Sequence, residues 1–122
     1  MKNTDYRTTI IKRSYEFSLS TINLVKKTTN KDLATGIISK QLIRSVTSIG
    51  ANIIEAQACA TRKDFTNFIR HALKSSNETR YWIALLKDTI PEIKKDAEIL
   101  LKEAQEISKI LGSTIKNLIK KQ

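Results

Sequence analysis

Residues Gln41–Glu55 read QLIRSVTSIGANIIE, and the phase of their apolar residues decides the fold. At about 100° per residue on a helix, Leu42, Val46, Ile49 and Ile53, continued by Ala56, fall on one side. Gln41, Arg44, Ser48, Asn52 and Glu55 form a stripe on the other. A solvated face is more often built from Lys and Glu pairs four residues apart. Hydroxyl and amide side chains pack closely and hydrogen-bond well, so this helix is expected to be contacted on both sides. A further edge of Ile43, Gly50 and Ile54 would meet either another subunit or a second neighbour in the same chain.

Working outward, the same logic yields three more helices. Asp5 to Thr28 carries Ile10, Ile11, Tyr15, Phe17, Leu19, Ile22, Leu24 and Val25 over more than one stripe, so it needs neighbours on two sides. The chain breaks near Thr29, with Asn30 or Asp32 as the cap of a second helix running from Lys31 to Ala58. Thr61 then caps a third helix with Asp64 three residues on. That helix runs to Thr89 with Phe65, Phe68, Ile69, Ala72, Thr79, Trp82, Ile83 and Leu86 on its apolar face. Ile90-Pro91 ends it, and Pro91 opens the fourth helix.

In that last helix Ile93, Ala97, Leu100, Ala104, Ile107, Leu111, Thr114 and Leu118 alternate at spacings of four and three. Ile99, Leu101, Ile110, Ile115 and Ile119 are read as widening the seam. Short connections make the neighbours antiparallel. The expectation is an all-α, up-down-up-down four-helix bundle forming a single domain over residues 1–122.

The 122 residues suffice for one core, and 3 Gly with 1 Pro leave few breakers. The single Cys59 allows no intrachain disulfide and fits a reducing compartment. The N-terminus lacks the apolar stretch of a signal peptide, and the run Ile83–Leu86 is far too short to cross a bilayer. A cytoplasmic protein with no membrane role is expected, because its apolar faces are committed to a core.

The net charge of +10 is uneven. Residues 1–87 hold 15 Lys and Arg against 6 Asp and Glu, whereas residues 88–122 hold 7 against 6. Basicity confined to the first three helices points to a polyanion. On the third helix Lys63, Asn67, Arg70, Lys74, Asn77 and Tyr81 lie nearly opposite the apolar face. Lys63, Arg70 and Lys74, joined by Arg44, are therefore the candidate contacts to RNA or DNA. No recognition-helix or RNA-binding sheet signature accompanies them, so contacts would be made to the phosphate backbone.

Catalytic and cofactor readings find little. A di-iron bundle needs Glu-x-x-His from two helices, and His71 is the one histidine. It is read as a surface or boundary group. Cys59 and His71 cannot build a zinc site alone, and three scattered glycines form no phosphate loop. Glu55 and Glu78 are read as structural carboxylates that accept hydrogen bonds and pair with a Lys or Arg. Arg44 stands about 16 Å from Glu55 along one helix, so the partners would come from another helix or subunit. The expectation is a non-enzyme with no metal and no cofactor.

The motif Q-[LI]-R-R-x-x-x-S-I-x-x-N-I-x-E-G followed by [DE]-F-x-x-F resembles the four-helix-bundle proteins encoded within bacterial rRNA intervening sequences. Those proteins are related to accessory proteins of diversity-generating retroelements. Gln41, Leu42, Arg44, Ser48, Ile49, Asn52, Ile53, Glu55, Asp64, Phe65 and Phe68 match it. Ser75 or Ser76, with Glu78, match a G-S-x-x-E element. Ile43 replaces a second Arg, Gly50 a common Pro and Ala56 a usual Gly. The resemblance implies a ring-like homo-oligomer, a pentamer, with nucleic acid and a reverse transcriptase as partners. The other reading is a scaffold whose basic face docks an acidic protein.

Overall fold

The computed structural model describes residues 2–28 and 32–120. Among them are four α-helices and no strand: α1 (Lys2–Thr28), α2 (Leu33–Gln57), α3 (Arg62–Thr89) and α4 (Lys94–Lys120). Each spans about 40 Å at 1.5 Å per residue. A 3₁₀ turn, Pro91–Ile93, precedes α4.

Local chemistry sets the ends. Asp32 caps α2, its carboxylate accepting from the Thr35 amide at 2.8 Å. The expected break at Thr29 and the alternatives Asn30 and Lys31 lie outside the described residues. Thr61 caps α3 as anticipated, with Oγ1 accepting from the Asp64 amide at 3.1 Å. Ile90 is extended, as the residue before a proline prefers. Pro91 opens the 3₁₀ turn rather than the α-helix, whose regular pattern starts three residues later than anticipated. The tighter turn reverses the chain within the Ile90–Ile93 link, where the Ile93 amide donates to the Ile90 carbonyl.

Cross-helix contacts fix the topology. Ser18 Oγ donates to the Val46 carbonyl, joining α1 to α2. Ser75 donates to Ser48 Oγ and Thr79 to Ser45 Oγ, joining α2 to α3. Ser76 and Ser108 share a hydrogen bond of 2.7 Å between α3 and α4. Arg13 Nε and Nη2 donate to both oxygens of Glu103, closing α1 on α4. Ser48–Ser75 with Ser45–Thr79, Arg13–Glu103 with Lys27–Asp96, and Ser18–Val46 with the approach of Ser14 to Gly50 all match rising numbers on one helix with falling numbers on the other, so the bundle runs up-down-up-down. Hydrogen bonding to Glu103, ahead of any opposing desolvation, raises the Arg13 pKa above its ordinary value, so the pair keeps its cation.

The core is the one the apolar phases describe. Leu42, Val46, Ile49, Ile53, Ala72, Ile83, Leu86, Ala97, Ala104 and Ile107 are fully buried. Phe65, Phe68 and Trp82 are half-buried against that core. Several hydroxyls are buried as well, and most bond either a carbonyl one turn back or a partner helix. Small hydroxyl residues let two backbones approach while leaving few polar atoms unpaired.

Two stripes differ from expectation. Ile99 and Ile119 stay exposed instead of widening the α4 seam. For Ile99 the reason is the loose α1/α4 junction. Polar pairs, Arg13–Glu103 and Lys27–Asp96, hold that junction, and open grooves flank Ile99. On α1, Ile10, Phe17, Leu24 and Val25 are buried, but Tyr15 is 63% and Leu19 45% exposed. The α2 edge divides: a Cβ on Gly50 would meet Ser14 Oγ of α1 at 3.2 Å, an intrachain contact, whereas Ile54 is 56% exposed.

That close approach yields a prediction. Alanine favours a helix interior over glycine by about 1 kcal/mol, but in Gly50→Ala the contact with Ser14 opposes the gain. In a Ser14→Ala background the oxygen is gone, so Gly50→Ala should stabilise by nearly the full amount. Chemical denaturation of the four chains in the cycle checks this. Equal effects of Gly50→Ala in both backgrounds would show that the approach carries no energy.

Candidate nucleic-acid interface

The cations anticipated for a polyanion are all at the surface: Arg44, Lys63, Arg70 and Lys74 are exposed. Among the described residues the ion pairs are Arg13–Glu103, Lys27–Asp96, Lys87–Asp88 and Lys109–Glu106. None of the four candidate cations takes part in one. Arg44 Nη2 instead donates to Gln41 Oε1, one turn back on α2, at 3.1 Å. Helical spacing puts Lys63, Arg70 and Lys74 on one outer face of α3 with exposed Asn67, Asn77 and Tyr81. Lys63 sits about 16 Å from Lys74 along the axis, so the stripe is extended rather than a cluster.

Only Lys74 of these cations lines the groove where α2 meets α3, a space of about 430 Å³. There the polar stripe of α2 contributes Ser48 and Asn52, and α3 contributes Phe68, His71, Ser75 and Glu78 beside Lys74. The antiparallel pairing brings them together. Ser75 Oγ donates to Ser48 Oγ at 3.0 Å. Asn52 Nδ2 donates to that same oxygen at 2.9 Å and to the Ser48 carbonyl at 2.8 Å. The carbonyl can only accept, which fixes the orientation of the Asn52 amide. Glu78 Oε2 accepts from Trp82 Nε1 at 3.1 Å.

The motif residues thus divide by role. Ser48, Asn52, Phe68 and Glu78 meet in the groove. Gln41 accepts from Arg44 beside it, and Phe65 packs against the core. Glu55 is exposed. Glu78 serves as a hydrogen-bond acceptor, but neither Glu55 nor Glu78 finds an ionic partner among the described residues. Lys74 lines the same groove as Glu78, but no ion pair forms between them.

His71, read from the sequence as a surface or boundary group, stands exposed on the rim. Its ring meets that of Phe68 edge to face, with centroids 6.3 Å apart and planes at 66°. Its place in the groove had no strong sequence signal beyond the i,i+3 and i,i+4 spacing to Phe68, Lys74 and Ser75. The link to α2 comes only from the register of the two helices.

Little here supports bond-making chemistry. Among the described residues no group of three or more His, Cys, Asp or Glu could hold a metal ion. The Cys59 thiol is raised above its usual pKa, by desolvation first and then by Asp64 and Glu55, which disfavours the reactive thiolate. Among the described residues no helix is long and apolar enough to cross a membrane.

Comparison with known proteins finds similarity over most of the bundle. A family model described as 23S rRNA-intervening sequence protein matches residues 7–113. A crystal structure from Bacteroides thetaiotaomicron, of a protein of unknown function from the S23 ribosomal protein family, is 40% identical with a TM-score of 0.82. The similarity covers 91% of this chain and 98% of that one. A comparison with curated proteins finds no match.

Proposed function

The chain belongs to the 23S rRNA-intervening sequence protein family, and from that premise we propose that it is a non-enzymatic, homo-oligomeric bundle that binds nucleic acid through the outer face of α3. The observation that carries the reading is the row Lys63, Arg70 and Lys74, exposed and free of ion pairs. Cations already paired with carboxylates must give up those partners to bind a phosphate; these need not. Contacts of this kind release counterions and carry no base information, so binding is steeply salt-dependent with weak sequence preference.

Assembly supplies the remaining affinity. One bundle offers few phosphate contacts, and repeating the stripe around a closed ring raises avidity without new chemistry. The uncovered apolar face of α1 and α2, with Tyr15, Leu19 and Ile54, supports such an interface. A homopentamer agrees with the resemblance of the motif.

The test replaces Arg70 and Lys74 together by Gln and measures RNA and DNA affinity across salt concentrations. Removing two phosphate contacts per bundle should flatten the slope of log affinity against log salt by about two for each bundle engaged. The circular dichroism spectrum should not change. Reversing the charge of Lys102 and Lys109 on α4 should have much less effect. Wild-type binding by the α3 variant at every salt concentration would refute the proposal, and retention of an acidic protein with no affinity for RNA or DNA would favour a protein-docking scaffold.

A further inference from the structure

The groove between α2 and α3 has hydrogen-bonding capacity that the bundle does not use. Ser48 Oγ accepts from both Ser75 and Asn52. Two accepted bonds leave its own O–H to donate, and among the described residues it donates no hydrogen bond. Because Asn52 Nδ2 is held by Ser48, its Oδ1 is turned away and accepts no hydrogen bond among the described residues. Glu78 uses one carboxylate oxygen on Trp82 and keeps the other free. Donor and acceptor groups therefore stand on both walls, Ser48 and Asn52 on α2 and Glu78 on α3.

The α3 rim, which faces Ser48 and Asn52, also carries the aromatic rings of Phe68 and His71. In an edge-to-face pair at least one face of each ring is free of the other, and His71 is exposed beside Phe68. A flat ligand could lie on the imidazole while its edge reaches Asn52 and Ser48. Lys74, on the same rim, lies one helical turn from Arg70.

From this juxtaposition we infer that the α2/α3 groove receives an unpaired nucleobase, stacked on His71 and read at its edge by Asn52 and Ser48, so that the protein binds single strands in preference to duplexes. The inference rests on the nucleic-acid reading of α3 and adds a site to it. A phosphate is a poorer occupant, because the Glu78 carboxylate would repel it. A base carries donors, acceptors and a planar face but no charge, which matches the lining. Its own phosphates would extend toward Lys74 and Arg70. A paired base in a duplex hides the edge that the groove would bind.

The experiment compares a short single-stranded RNA with a strand of equal length whose sites are abasic. Both carry the same phosphates, so counterion release contributes alike to each. The wild-type protein should bind the base-bearing strand about tenfold more tightly, the size of effect expected for a base on an aromatic ring. In Asn52→Ala with His71→Ala the two strands should bind alike, while the affinity for the abasic strand stays as in wild type. His71→Ala alone, at an exposed position, keeps the test valid should Asn52→Ala disturb helix pairing, and it should lose most of the difference. Equal wild-type binding of both strands would overturn the groove site and leave the basic face standing. Binding of neither strand would overturn both readings. A difference that persists in the variants would place the base elsewhere and overturn the inference.

Discussion

Ile49→Ala is expected to lower the stability of the bundle by about 2–5 kcal/mol, the range for truncating a large aliphatic side chain in a packed core. Ile49 is fully buried and lies at the centre of the apolar stripe of α2. Its helix is engaged on both sides, through Ser18 on α1 and through Ser75 and Thr79 on α3. These hydrogen bonds keep the neighbours in place, so the walls cannot collapse freely into the space left by three missing carbons. The upper half of the range is therefore expected. Ile99→Ala removes the same atoms from a side chain that is 67% exposed, and it should change stability by no more than about 0.5 kcal/mol. Urea denaturation at one fixed protein concentration measures both, since any oligomer would make the midpoint depend on concentration. A loss below 1 kcal/mol for Ile49→Ala would contradict the packing described above.

Tyr15→Glu combined with Ile54→Glu should dissolve the proposed assembly. At 100° per residue, Tyr15 and Leu19 lie just outside Ser14 and Ser18, the α1 residues that meet α2. Across the contact, Ile43 and Ile54 share a stripe with Gly50. The result is an apolar surface over two helices on which Tyr15, Leu19 and Ile54 are exposed, while Ile43 is partly buried against the core. Each contact in a ring is repeated at every subunit junction, so two carboxylates per chain place buried, unpaired charges at all of them. The cost of such burial far exceeds what a modest interface gains. Light scattering at micromolar protein should give a mass several times 13.9 kDa for the wild type and 13.9 kDa for the variant. A monomeric wild type would end the assembly proposal. A variant of unchanged mass would move the interface off this face.

Both expectations depend on how much the sequence reveals. The helices were legible because each is written in a local code. Leu42, Val46, Ile49 and Ile53 recur at three- and four-residue spacing, and Thr61 marks a boundary by its side-chain cap and Pro91 by its ring. The basic stripe of α3 was legible for the same reason: residues 7 and 11 positions apart share a face whatever surrounds the helix. The fate of isoleucines was less so. Ile107 is buried and Ile99 exposed, although both belong to apolar stripes of α4. The difference is that α1 stands off from α4 where Ile99 lies.

The candidate site shows the limit most clearly. Ser48, Asn52, Phe68 and Glu78 could be marked individually, and His71 could be placed next to the stripe. Their convergence required the register of α2 against α3. That register is set by side chains 27 and 34 residues apart in sequence, Ser48 with Ser75 and Ser45 with Thr79. Sequence alone determined four amphipathic helices, the cap at Thr61 and the charged faces, because these follow from the chain's own period and local chemistry. Tertiary structure decided which faces meet and at what level, since shifting one helix along another by a single turn preserves every local preference and changes every cross-helix hydrogen bond.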